Sequence, residues 1–168
     1  TDRIFAIALS PDSKLIATAS RDKTAKIWDA ATGKELATLS HSFFVDTVAF
    51  SADGKLLATG SLDGTARLWD AATGSLLHTF AAPEGWLVSL AFSPDGKQLA
   101  TNSQKRVLLW DTWSGKLTAT LSGHNNTVVD IAFSSDGKLL ATAGGTTARL
   151  WDPSTGREVA VLAGYDDW

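Results

Sequence analysis

The most constraining feature of this chain is a Trp-Asp pair that returns at a fixed interval. It stands at Trp28-Asp29, Trp69-Asp70, Trp110-Asp111 and Trp151-Asp152, each pair 41 residues after the last (28 to 69, 69 to 110, 110 to 151). The surrounding unit is plainest at 61–74, Ser-Leu-Asp-Gly-Thr-Ala-Arg-Leu-Trp-Asp-Ala-Ala-Thr-Gly. A period between about 20 and 50 residues marks one supersecondary unit used repeatedly, a unit that cannot bury its apolar face alone. The 168 residues are therefore read as four units rather than one ordinary domain.

Each unit holds four short apolar runs separated by turn chemistry. In the first, runs at 4–9, 15–20, 24–28 and 34–39 are divided by Ser10-Pro11-Asp12-Ser13-Lys14, by Arg21-Asp22-Lys23 and by Asp29-Ala30-Ala31-Thr32-Gly33. Pro presets φ, Asp bonds its own turn backbone and Gly accepts positive φ, so these stretches predict hairpin connections. Such punctuation arrives every 8 to 12 residues, too often for helices, which need roughly 10 to 12 residues each. In the third unit, Asn102-Ser103-Gln104-Lys105-Arg106 has lost the Asp-Gly or Asp-Lys turn chemistry, and in the fourth a loose Ala143-Gly144-Gly145-Thr146 takes its place. Runs such as Leu56-Leu57-Ala58 and Leu139-Leu140-Ala141 predict strands covered on both faces. The expected units are 1–40, 41–82, 83–123 and 124–168.

On the Trp-Asp pairs, their spacing and the four-strand pattern, the chain resembles the WD-repeat β-propeller family over essentially its whole length. The resemblance implies an all-β fold with one four-stranded antiparallel blade per unit, strands a to d running from the axis outward. It also implies a hydrogen-bonded tetrad: a His before strand a, a Ser or Thr in strand b, an Asp in the b–c turn and the Trp of strand c. The second blade matches with His41, Thr59, Asp63 and Trp69. The first offers Thr18, Asp22 and Trp28 without a preceding His. The third has Pro83, Thr101, Gln104 and Trp110, and the fourth His124, Thr142 and Trp151 with Gly145 at the Asp place. A buried indole N–H and imidazole each need a partner, and a chain of partners ending on a carboxylate supplies them. His, Asp and Thr are also the residue types of a nucleophilic triad. A repeat-related position that packs a Trp is explained by the fold, so no enzyme activity is expected.

The resemblance further implies that the d–a and b–c loops share one face, commonly used to bind proteins and peptides. Here they carry Phe43, Phe44, Trp86, Asn125 and Asn126, with Arg21, Leu62, Ser103 and Lys105 on the b–c turns. Aromatics beside an Arg have hot-spot composition, and Phe43, Phe44, Trp86, Asn126, Arg21 and Leu62 are the candidate contacts. The competing reading is that these aromatics pack over the channel or rim. On the opposite face Trp113 breaks the Ala-Thr-Gly turn pattern, and His78 stands alone in an outer strand.

Four blades are fewer than such propellers usually have, and the terminal units are apolar rather than polar, so an exposed blade face is expected at each end. The leading expectation is a homodimer closing an eight-bladed ring, with Tyr165 approaching the partner's first blade. A fragment of a longer propeller is the runner-up assembly, and a closed four-bladed ring would need a much wider wedge angle. A net charge of −3 argues against nucleic-acid or anionic-membrane partners. The absence of cysteine removes disulfides and thiolate chemistry, and suits a reducing, cytoplasmic setting. No metal-ligand spacing or phosphate-cradling loop is present, so no cofactor is expected. The expected function is a non-catalytic scaffold for protein–protein interaction. The alternative, suggested by the absence of methionine and a start at Thr1, is an engineered or minimal half-propeller without an evolved ligand.

Overall fold

The computed structural model describes residues 2–82 and 85–163. Its sixteen strands form four separate four-stranded antiparallel meanders. The first is β1 (Ile4–Leu9), β2 (Leu15–Ser20), β3 (Thr24–Asp29) and β4 (Glu35–Ser40). The second is β5 (Val45–Phe50), β6 (Leu56–Ser61), β7 (Thr65–Asp70) and β8 (Leu76–Ala81). The third is β9 (Leu90–Phe92), β10 (Gln98–Ser103), β11 (Arg106–Asp111) and β12 (Leu117–Ser122). The fourth is β13 (Val128–Phe133), β14 (Leu140–Gly144), β15 (Thr147–Asp152) and β16 (Arg157–Leu162). No helix is long and apolar enough to cross a membrane among the described residues. The predicted places of Pro83 and Tyr165 lie outside them.

The same side-chain chemistry makes each a–b turn. Ser51 Oγ donates to Asp53 Oδ1 at 2.7 Å, the Lys55 N–H donates to the same oxygen, and the Leu56 N–H donates to Ser51 Oγ. Ser10/Asp12, Ser93/Asp95 and Ser134/Asp136 repeat it. The turn needs a left-handed residue, which is Gly54, Gly96 or Gly137 in three sheets and Ser13 (φ 60°) in the first. The Asp of each Trp-Asp pair performs the matching task for the c–d turn: Asp29 Oδ1 accepts from the Thr32 N–H and hydroxyl, and Asp111 from those of Ser114. A register shift at every Trp, as between Ile27 and Trp28, accompanies that turn.

The b–c turns differ from expectation in the last two sheets. Ser103 pairs with Arg106, and Gly144 with Thr147, so each turn has two residues, Gln104-Lys105 and Gly145-Thr146. The segment at 143–146 is thus a tight hairpin rather than a loose loop, held by positive φ at Gly145 (61°), as Gln104 (49°) holds its counterpart. Each turn is one residue shorter than Leu62-Asp63-Gly64. One extra residue after strand d, Ala82 or Gly123, restores the period, so the constant spacing hides a paired insertion and deletion.

The core lies between sheets, not within them. Ala17, Ala19, Ala25, Ile27 and Leu39 of the first sheet pack against Val45, Val48, Leu57 and Trp69 of the second. Ala58, Ala66, Leu68 and Phe80 meet Leu87, Leu90, Leu99 and Trp110 at the next junction. Ala100, Val107, Leu109 and Leu121 meet Val128, Ile131, Leu140 and Trp151 at the third. β1 packs beside β5, β5 beside β9 and β9 beside β13, whereas no comparable packing joins β13 to β1 among the described residues. The blades therefore form an open arc. At Gly60 a Cβ would lie 2.2 Å from Leu87 Cδ2 and 2.5 Å from Thr47 Cγ2. Gly60→Ala is expected to destabilise by about 1–3 kcal/mol through overpacking, read as a lower urea midpoint, although the equivalent positions Ala19 and Ala143 already hold that side chain.

Candidate functional site

The residues of the predicted tetrad meet most fully in the second blade. Strand b places Thr59 beside the Trp69 indole, whose Nε1–H donates to Thr59 Oγ1 at 2.8 Å. His41 Nε2 lies 2.8 Å from the same hydroxyl, and His41 Nδ1 lies 3.4 Å from Asp63 Oδ2. Neutral His41 satisfies both contacts with its proton on Nδ1: it donates to Asp63 and accepts from Thr59. Asp63 also accepts from the Ser42 N–H and from Thr65, fastening the d–a loop to the b–c turn. Burial lowers the His41 pKa to about 4, with the Asp63 carboxylate opposing the fall and Arg67 adding to it. Burial raises the Asp63 pKa, but bonds from Thr65 and Ser42 and the facing His41 outweigh it, leaving the carboxyl below its usual range.

The other blades keep the centre of this network and lose its ends. Trp28, Trp110 and Trp151 donate to Thr18, Thr101 and Thr142 at 2.9, 2.9 and 2.8 Å. Asp22 accepts from Thr24 within the first b–c turn. In the fourth blade His124 Nε2 reaches Thr142 Oγ1 at 2.8 Å, while its buried Nδ1 has no partner at hydrogen-bonding geometry. Burial and then the nearby Arg149 lower the His124 pKa, partly offset by the Gly144 backbone and Glu158. The two-residue turn removes the position from which Asp63 acts. In the third blade Gln104 turns to Gly85 instead.

Sequence reasoning missed Asn102, wholly buried in β10 where other blades carry Ala19, Gly60 and Ala143. Its Oδ1 accepts from the Val88 and Ser89 N–H groups, and its Nδ2 donates to the Trp86 carbonyl. The side chain thus takes over backbone donors of the incoming segment, and β9 shortens to three residues. One polar residue amid a run of small ones was the available signal.

The candidate contact residues divide into separate groups. Phe43 and Phe44 stack at 4.2 Å, the Arg21 guanidinium lies 5.2 Å over the Phe44 ring, and the Leu62 N–H donates to the Phe44 carbonyl. Phe5, read from the sequence only as strand a, joins them at 6.5 Å from Phe44, with Arg3 over its own ring. Exposed Trp86 lies apart, in a cleft of about 430 Å³ with Gly85, Val88, Gln104 and Thr127. Asn126 packs against the turn at Gly145 and accepts from the Thr127 N–H. Chemically, the tetrad of the second blade is sealed. Thr59 is wholly buried, so no substrate reaches its hydroxyl. No group of three His, Cys, Asp or Glu able to hold a metal ion occurs among the described residues.

Four antiparallel blades, each organised by a Trp–Thr bond that is buried in the last three, define an arc of a β-propeller. The chain belongs to the WD-repeat family: the family described as "WD domain, G-beta repeat" matches residues 1–29, 33–70, 74–111 and 115–152. Each full match runs from strand d of one blade to strand c of the next, closing on the Trp-Asp pair. A segment of 45 residues is 47% identical to the serine-threonine kinase receptor-associated proteins of Homo sapiens and Bos taurus, and 44% identical to that of Gallus gallus. The segment covers 27% of this chain and 13% of those relatives' length.

Two outcomes are expected from the tetrad. Thr59→Val leaves the buried indole N–H and His41 without their shared partner and lowers stability by about 1–3 kcal/mol in chemical denaturation. Between the ordinary 6.5 and about 4, the unfolded chain carries a proton on His41 that the native state excludes. Stability therefore rises with pH across that window, by on the order of 3 kcal/mol, and His41→Gln flattens the slope.

Proposed function

We propose that this chain is a non-catalytic WD-repeat scaffold for protein–protein interaction, and that two copies close an eight-bladed ring in the cytoplasm. The observation that carries the reading is a set of equivalent positions. Val45, Leu87 and Val128, and likewise Val48, Leu90 and Ile131, are buried by the preceding blade, whereas Ile4 and Ile7 in the first blade are 58% and 68% exposed. At the other end, Leu39, Phe80 and Leu121 are buried by the following blade, while their counterpart Leu162 is 48% exposed. Ala141, Ala143, Ala148 and Leu150 around it are the counterparts of Ala17, Ala19, Ala25 and Ile27, which receive Val45 and Val48. One end carries the projecting residues of the common junction and the other carries its hollow. Two copies related by a twofold axis would form the same junction twice.

The loop face supports the scaffold reading. Arg21, Phe44, Phe43, Phe5 and Arg3 form an aromatic and basic patch suited to an acidic segment bearing an aromatic or aliphatic anchor. This patch departs from the repeat, which favours an evolved contact over a half-propeller without a ligand.

Light scattering on a sizing column, at several concentrations, tests the assembly. The expected mass is about twice 17.7 kDa, returning to the single-chain mass in Ile7→Asp, whose side chain lies outside the folded core of one copy. A soluble single chain at every concentration overturns the dimer. Peptides selected from a random display library against the chain are expected to be acidic and to bind Arg21→Ala/Phe44→Ala about tenfold more weakly; unchanged binding overturns the loop-face assignment.

A further inference from the structure

The face opposite the b–c turns holds a cleft of about 670 Å³ between the second and third blades. Its lining includes the apolar Leu56, Leu77 and Trp113 and the carboxylates of Asp53, Asp95 and Asp111. Trp113 is 92% exposed, and stands where the first, second and fourth blades have Ala31, Ala72 and Ser154. His78 sits opposite it, where the first blade has Ala37. In a molecule built on one repeat, the two bulky departures face each other across a single junction.

They are also coupled. His78 Nε2–H donates to the Trp113 carbonyl at 3.0 Å across the blade boundary. Gly115, two residues on, approaches the ring so closely that a Cβ there would lie 2.7 Å from His78 Nδ1. At the preceding junction Gly74 meets the methyl of Ala37 and, farther off, Leu39 instead of a ring. Thr112 Oγ1 donates to the Gly96 carbonyl and its N–H to that of Lys97. The turn is thus fixed from two sides, while its indole, an apolar surface of large area, is held out in water. Fixing a turn lowers the entropy lost when a partner contacts it.

The charge around the indole selects the partner. The turn bonds of Asp53, Asp95 and Asp111 fall on Oδ1, and a carboxylate retains acceptor capacity on its second oxygen. Bonds from Ser51, Ser93 and Ser114, respectively, are the main reason each carboxyl lies below its usual pKa, so all three are ionised at neutral pH. Against them stand Lys97 in the lining and Lys55, 3.8 Å from Asp53 Oδ2. We propose that this cleft is a second docking site, for a peptide segment whose Arg side chain lies on the Trp113 indole between the three carboxylates, its flanking apolar residue covering Leu56 and Leu77. A guanidinium stacks on an indole and takes carboxylate acceptors in plane, which an apolar side chain cannot do.

The test follows the Trp113 indole N–H and the His78 ring by NMR on the whole chain, titrated with Ac-Gly-Leu-Arg-Gly-NH2 and with the same peptide carrying neutral citrulline in place of Arg. Saturable shifts at Trp113 and His78 with the Arg peptide are expected, with the citrulline peptide weaker by about fivefold or more. Trp113→Ala removes binding; His78→Ala, which restores the first blade's residue, weakens it while the other indole signals stay in place. Equal response to both peptides overturns charge recognition, and shifts confined to residues outside the cleft overturn the site. A Trp113 signal that moves with protein concentration and not with peptide overturns the proposal in favour of a second copy as occupant. The readout does not depend on whether the arc closes as a dimer, since this junction lies inside one chain.

Discussion

A four-stranded sheet of these residues has two apolar faces and no means of covering either. Ala17, Ile27 and Leu39 look one way in the first blade, Ile4 and Ile7 the other, and only a neighbouring blade buries them. At every junction branched residues in or just before strand a pack on the preceding blade, over small residues such as Ala17, Ala19 and Ala25 at the first and over the larger Val107 and Leu109 beside Ala100 at the third. Hydrophobic burial acts on area removed from water, so the unit of stability is the pair of blades. The end faces are the same problem left open.

Within each blade the Trp links sequence to stacking. In the second to fourth blades its ring enters the junction with the preceding blade and its N–H is accepted by a buried Thr, which lets a large aromatic side chain lie where a polar atom would otherwise be costly; at the open end Trp28 and Thr18 make the same bond half-buried. The second blade extends that bond through His41 to Asp63 and so ties two loops together. The fourth cannot, because its b–c turn is a residue shorter; the third has that shorter turn too, and there Asn102 fastens the incoming segment instead. Stability and loop anchoring are therefore separable: the Trp–Thr bond is common to all four blades, and the means of holding the d–a loop varies.

Much of the fold was legible from the residues. Turn chemistry at Ser51-Ala52-Asp53-Gly54 or Asp29 to Gly33 is local, made by atoms a few bonds apart, so strands and their order follow from it. The Trp–Thr partnership was legible through the family resemblance. Other features were not. Gly144-Gly145 reads as slack in a sequence, yet strand pairing turns it into a tight hairpin. Asn102 reads as a loop residue until the segment it serves is laid beside it. Phe5 alternates like any strand residue, and only the approach of Phe44 makes it part of a surface patch. Trp86 and Asn126, grouped with that patch by loop position, lie apart from it because the blades fan outward.

By itself the sequence determined the repeat, the turns, the all-β class and the residue that centres each blade, because these depend on periodicity and on bonds between near neighbours. The tertiary structure alone decided which apolar faces are covered, that the described blades form an open arc, and which distant side chains meet. His78 and Trp113 are 35 residues apart, and nothing along the chain links them. Their contact exists because two blades stack at a set angle, which is a property of the junction and not of either segment.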